Sequence, residues 1–266
     1  PASTVTSTIK NLEKYLKVRL LNRTTRRVSL TPEGMQYLAQ CREILALIEH
    51  SESTLSESVA RPQGSLRVDM PAGIAHFIVM PHLPDFYRRY PDIYLMIGVS
   101  DRQVDLIQEG VDCVIRTGEL NNSSLVARPL GRFRWVTCAS PDYLREYGVP
   151  PSPEALSQHR AVHYFSGQAR RADEFRFVRH GETFSVPVSG NAAVNETGLY
   201  IKMCLAGFGL AQLAENIVAD HLQEGRLVEV LTDWQPPPVP VTLLYPHQRF
   251  LSPAVRAFAE WMSEVV

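Results

Sequence analysis

The chain is poor in the residues and runs that would take it to an oxidising compartment or into a membrane. Its 266 residues hold four cysteines, Cys41, Cys113, Cys138 and Cys204, far apart and without a CxxC pair. They read as buried apolar thiols in a reducing compartment, and their spacing offers no obvious redox couple. No run of about 18 apolar residues exists, so nothing is expected to span a membrane. GxSxG, HExxH and Walker loops are missing, and Gly207-Phe-Gly209 with its neighbours is too short a match to a dinucleotide loop to carry weight. His159 and His163 lack a third ligand at metal spacing and read as surface or turn histidines. These absences predict a protein that is no enzyme and uses no cofactor and no metal.

Charge is what the chain has, unevenly placed. The formal net charge is −1, yet residues 1–30 hold seven Lys/Arg against one acid, Glu13. That leaves 20 of the 27 basic and 27 of the 28 acidic residues for the other 236. A basic head on an acidic body is the asymmetry expected when one end binds nucleic acid. Within the head, Val5, Ile9, Leu12 and Leu16 recur at helical spacing, with hydroxyl and basic residues on the other side. A tight β-ribbon follows, with strands near Arg19–Leu21 and Arg27–Leu30 and Asn22 to Arg26 as its tip. Such a helix suits the major groove, and such a ribbon suits phosphate or the minor groove. The bland alternative is a solvated surface helix with a charged hairpin.

The run of Val5, Ile9, Leu12, Glu13, Leu16, Val18, Leu20, Leu21, Arg23, Arg26, Leu30, Thr31 and Gly34 closely resembles the winged helix-turn-helix of LysR-type transcriptional regulators. The likeness covers residue type and spacing over 30 positions, and the length and element order of the rest agree. The resemblance implies a DNA-binding head, a dimerising linker helix and a bilobed effector-binding domain. It also implies roughly 25–30 further residues, two helices, ahead of Pro1. The expected DNA contacts are Ala2, Ser3, Thr4, Thr6, Ser7 and Lys10 on the helix, with Arg26 and Arg27 on the wing. The family commonly has Gln where Ala2 stands, so base preference should differ from the commonest pattern.

Thr31-Pro32-Glu33 is a helix start, with a hydroxyl cap, proline at the first position and a carboxylate in the first turn. From there to about Ser58 nothing breaks the helix. Leu38, Cys41, Leu45, Ile48, Leu55 and Val59 form the 3-4 stripe of a two-stranded coiled coil, so residues 31–61 are expected to pair with a second copy. The alternative is a helix docked on its own domain. A homodimer would set two heads on a pseudo-palindromic promoter site, and the family implies tetramers as well.

After the linker Arg61–Gly64, strand–helix alternation argues for an α/β domain over 62–266 with βαβ units around a mostly parallel sheet. Expected elements include the strands Leu66–Met70, Ile93–Val99, Val111–Ile115, Trp135–Ala139, Ala161–Tyr164, Phe175–Val178, Thr183–Val188, Leu227–Val230 and Val241–Tyr245. Expected helices are Phe77–Tyr90, Val104–Glu109, Thr197–Leu205, Ala214–Gln223 and Pro253–Val265. The chain would leave one lobe near Arg134 and return near Val239. That is the layout of a periplasmic-binding-protein-like fold with lobe I at 62–134 and 241–266 and lobe II at 135–240; the bilobed division rests on the resemblance.

Ligands of open α/β sheets sit beyond the carboxyl ends of strands. Pro71, Ala72 and Gly73 follow the first strand, Ser100 and Asp101 the second, and Arg116 and Thr117 end the third. Arg116 could clamp a carboxylate or pair with an acid such as Asp101 or Glu119. Phe165, Asn195 and Thr197 are the expected contacts from lobe II, with helix capping the simpler role of Asn195 or Thr197. Arg102 and Arg116 lean towards an organic anion as effector. The expected protein is thus a cytoplasmic regulator of promoter DNA; the competing class is a solute-binding protein or enzyme on the same bilobed fold.

Overall fold

The computed structural model describes residues 2–23, 28–55, 61–100, 106–120, 125–165, 174–246 and 251–266. The chain opens with helix α1 (Ala2–Leu16) and an antiparallel ribbon of β1 (Leu21–Arg23) and β2 (Val28–Leu30), in which Leu21 faces Leu30. The first strand starts at Leu21 rather than Arg19, so Asn22 and Arg23 are strand residues and not tip. The cause is Glu13, whose carboxylate accepts the amides of Leu20 at 2.8 Å and Leu21 at 3.0 Å and holds the approach to the strand against α1.

Helix α2 (Pro32–Leu55) follows. Thr31 is its cap: the hydroxyl accepts from the Gly34 amide at 2.9 Å and donates to the Arg19 carbonyl at 2.7 Å. The end expected near Ser58, and Val59, lie outside the described residues. Strand β3 (Gly64–Met70) begins at the glycine assigned to the linker. Then α3 (Ala72–Ile74), a π-helical stretch (Ala75–Val79) and α4 (Met80–Arg89) run on without a break. This helix starts five residues ahead of the expected Phe77. It accommodates Pro84 inside α4, just after the π stretch, and a ring nitrogen of His82 lies 2.8 Å from the Ile78 carbonyl.

The remaining elements are β4 (Ile93–Val99), α5 (Leu106–Glu109), β5 (Cys113–Thr117), β6 (Leu125–Phe133), β7 (Trp135–Ala139) and α6 (Pro141–Tyr147). After a 3-10 turn (Pro153–Gln158) come β8 (Arg160–Tyr164), β9 (Phe175–Arg179), β10 (Glu182–Val186), β11 (Ser189–Val194) and α7 (Thr197–Leu205). The chain closes with β12 (Ala211–Ala214), α8 (Glu215–Gln223), β13 (Val228–Val230), β14 (Val239–Pro246) and α9 (Pro253–Val265). Strands β6 and β11, helix α6 and the 3-10 turn were not expected.

The sheets are mixed, not mostly parallel. The first is ordered β4-β3-β5-β14-β6; β3 pairs in parallel with β4 and β5, whereas β14 is antiparallel to both β5 and β6. The second is β12-β7-β13, antiparallel throughout, with β8 alongside through Ala161 and Leu210 and with β11 parallel to β8. Parallel neighbours require a crossover, usually helical. Helices lie in the connections from β3 to β4 and from β4 to β5, β9 and β10 lie between the parallel strands β8 and β11, and β14 returns from the second sheet.

The first sheet is covered by α4 and α9, where Phe86, Phe258 and Trp261 form a fully buried aromatic cluster with ring centroids 5.0–5.8 Å apart. A second core gathers Val136, Tyr200, Ile201, Cys204 and Val218. Ile217 packs on both cores, so the two sheets meet across it. Cys113, Cys138 and Cys204 are buried as expected, but Cys41 is not. Folding also brings two cysteines together that spacing kept apart: the Cys204 thiol donates to the Cys138 carbonyl at 3.6 Å, and their thiol contact, then burial, pushes Cys138 up. His159 is buried rather than on the surface, its ring nitrogen 3.2 Å from the Tyr143 hydroxyl, and burial lowers its pKa. Among the described residues no cluster of three metal-ligating side chains occurs, and no helix is long and apolar enough to cross a membrane.

Candidate functional site

The head presents one polar surface. Thr4, Thr6, Ser7 and Lys10 are all exposed on α1, one to two turns from its start, and Ala2 and Ser3 open the same helix. Ser7 turns its hydroxyl back to the Thr4 carbonyl at 2.8 Å, as does Thr8 at 2.9 Å. Lys10, Lys14, Lys17 and Arg19 surround a shallow groove where α1 meets the turn into β1. Sequence reasoning put only Lys10 of these in the site; the other three needed the turn, at which Lys17 adopts a positive φ of 55°. Arg26 and Arg27 lie outside the described residues. Glu13, the lone acid, points its charge at the Leu20 and Leu21 amides, which hold its carboxyl below the usual value. Glu13 lines this groove with the four basic side chains, its carboxylate held by the two amides, and the excess of positive charge suits the groove to phosphate.

Behind the head, α2 carries apolar side chains into solvent. Ile44, Leu45, Leu47 and Ile48 are 44–58 % exposed. Leu45 and Ile48 belong to the expected coiled-coil stripe; Ile44 and Leu47 widen it.

A second site lies between the two sheets. From the first come Pro71, Gly73 and Ile74 at the start of the α3–α4 helix, Arg116 and Thr117 at the end of β5, and Phe133. The second contributes Trp135, Tyr164, Thr197, Tyr200, Leu213 and Ala214, and α8 adds Ile217. The partly open cavity measures about 160 Å³. Beside it Gly73 touches the opposite wall: a methyl placed there would stand 3.1 Å from the Thr197 hydroxyl and 3.2 Å from Ile217 Cδ1. Phe133 and Trp135 flank Arg134 where the chain crosses between sheets. Arg134 binds Glu215 at 2.5 Å and Glu229 at 2.7 Å, fixing the crossing to α8 and β13.

Of the ten expected effector contacts, Pro71, Gly73, Arg116, Thr117 and Thr197 line this cavity. Ala72 is buried in the same turn, Ser100 follows β4, and Asn195 is exposed before α7; none of the three belongs to the lining. Asp101 lies outside the described residues. Phe165 is displaced by one position, since alternation along β8 turns Tyr164 to the cavity instead. The cap of α7 is neither Asn195 nor Thr197 but Glu196, whose carboxylate accepts from the amides of Gly198 at 2.8 Å and Leu199 at 2.7 Å. Thr197 is thereby left to the cavity. Arg116 pairs with Asp69 at 2.8 Å, not with Glu119, and also donates to its neighbour's carbonyl, Ile115 O, at 2.7 Å. Asp69 lies opposite Val114 in the parallel β3–β5 register, so Arg116, two residues on, shares its face.

Comparison with known proteins covers both parts of the chain. Residues 1–35 match the family described as bacterial regulatory helix-turn-helix protein, lysR family, and residues 60–266 match the LysR substrate binding domain. An HTH-type transcriptional repressor of Pseudomonas aeruginosa (strain UCBPP-PA14) is 40% identical over 265 residues, covering 100% of this chain and 84% of the relative. The uncharacterized HTH-type transcriptional regulator YhjC of Escherichia coli (strain K12) is 37% identical over 266 residues, 100% of this chain and 89% of its own. Among solved structures, CrgA, a LysR-type transcriptional regulator from Neisseria meningitidis, superposes with a TM-score of 0.68 at 30% identity, over 99% of this chain and 89% of that one. With a basic helix and ribbon at one end and a cavity between two sheets at the other, this chain belongs to the LysR family of transcriptional regulators and is not an enzyme.

Proposed function

We propose that this regulator works as a homodimer joined through residues 31–61. A small organic molecule between lobe I (62–134 and 241–266) and lobe II (135–240) would reset the spacing of two heads on promoter DNA. The observation that carries this reading is the cavity itself, lined by side chains from both sheets and touched across by Gly73. A guest there contacts both walls at once, which gives it a differential affinity for closed and open arrangements. The head, 1–30, reads DNA through Ala2, Ser3, Thr4, Thr6, Ser7 and Lys10, with Arg26 and Arg27 on the backbone or in the minor groove. The exposed apolar stripe of α2 supports the dimer, and pairing of dimers into tetramers extends the same reading. A protein that acts on promoter DNA works in the bacterial cytoplasm.

A gel shift with DNA from upstream of its own gene tests the reading. Retardation that survives an excess of unrelated duplex at moderate salt is expected. Equal competition by unrelated duplex would remove the specific-regulator reading and leave only charge-driven binding.

A further inference from the structure

Charge and size narrow what the cavity holds. Among the described residues, Arg116 is the one formal cation that lines the cavity, and it is already paired. Its guanidinium meets Asp69 at 2.8 Å and the Ile115 carbonyl at 2.7 Å, and the two side chains are only 16% and 10% exposed. Asp69 offsets the charge that Arg116 brings to the wall. The rest of the wall is aromatic and aliphatic, chiefly Phe133, Trp135, Tyr164, Tyr200, Leu213 and Ile217. An anion entering it would lose its hydration with no unbalanced cation to offset that loss. A cavity of about 160 Å³ is close to the roughly 150 Å³ of an apolar cavity that takes benzene. Its uncharged polar groups include the hydroxyls of Thr117, at the mouth on β5, and Thr197, on α7, which can each donate or accept one hydrogen bond, whereas the Tyr200 hydroxyl already accepts the Gln212 amide at 3.1 Å.

We propose that the effector is a compact, uncharged ring compound with one hydroxyl or carbonyl group, and not the organic anion that the arginines alone imply. This rests on reading the cavity as the effector site. The ring stacks among the four aromatic side chains, and its polar group reaches one of the two threonines.

The test is isothermal titration of the whole protein with matched compounds, benzyl alcohol, phenol and benzamide against benzoate and cyclohexanecarboxylate. It is repeated on Thr117→Trp, which plugs the cavity from an exposed position, and on Asp69→Asn, which takes the carboxylate away from Arg116. The neutral compounds should bind at least about tenfold more tightly than the carboxylates. Thr117→Trp should abolish that binding, and Asp69→Asn should raise benzoate affinity by about tenfold or more. Carboxylates binding as tightly as neutral rings, with both lost in Thr117→Trp, would overturn the ligand class while keeping the site. Binding that Thr117→Trp leaves unchanged would overturn the site and the class with it, as would no binding by any of the five at millimolar concentration. Should Asp69→Asn fail to fold, the comparison on the unaltered protein and Thr117→Trp still decides.

Discussion

Glu13 shows how one residue serves both structure and charge. Its carboxyl is held low first by the Leu20 and Leu21 amides, so the folded head takes up a proton less readily than the unfolded chain. The stability it contributes is therefore complete above the ordinary value near 4.5 and is lost as pH falls through the lower folded value. Thermal melts should show Glu13→Ala destabilised at pH 7 and converging on the unaltered protein in acid; a gap that persists in acid would contradict this. Gly34 is constrained sterically. A methyl there would stand 2.0 Å from the Leu20 carbonyl, the same oxygen that accepts the Thr31 amide at 2.9 Å. Gly34→Ala should cost the head about 1–3 kcal/mol by overpacking, read as weaker DNA binding and an earlier melt of the head with the α/β body intact. The sequence showed Gly34 as part of a family pattern, but only the approach of α2 to the preceding turn says why.

Elements with a strong local signature were legible. Helix α7 was expected at Thr197–Leu205 and lies there, and α9 was expected at Pro253–Val265 and lies there. Strand β6 was missed because Arg128, Pro129, Gly131 and Arg132 interrupt any apolar run, and it exists by pairing with β14, over 100 residues away. Strand β11 has only Val194 as a β-branched residue and owes its place to β8. Helix α6 had a readable start, Ser140 before Pro141, and the Ser140 hydroxyl does accept the Tyr143 amide at 3.3 Å. On α2 the exposed Leu45 and Ile48 set the next prediction. Replacing both with Glu should turn the protein monomeric in sedimentation without lowering the melting of the α/β body; an unchanged dimer would place the interface elsewhere. For the ribbon, Arg26→Ala with Arg27→Ala should weaken binding to all sequences and flatten the salt slope by about 1–2, and an unchanged slope would sink their phosphate role.

At the scale of the whole molecule, the family and the α/β character were readable from the first 35 residues and the strand–helix alternation, whereas the cavity's chemistry was not. Asp69 and Arg116 are 47 positions apart and meet only through the parallel register of β3 with β5, which no local pattern encodes. Tyr164 replaces Phe165 for a similar reason, a one-residue choice of face that the sheet makes. Arg134 with Glu215 and Glu229 ties the crossing between sheets to α8 and β13, and Gly73 meets Thr197 and Ile217 across the cleft. Those contacts join the two walls of the cavity, as the proposed coupling requires. The most direct test is an anisotropy titration of promoter DNA at one fixed salt concentration, with the cavity empty and with it saturated by a neutral ring compound that binds. The account predicts a change in DNA affinity of about 5–150-fold, absent in Thr117→Trp. Identical DNA affinity with the cavity empty and full would contradict it.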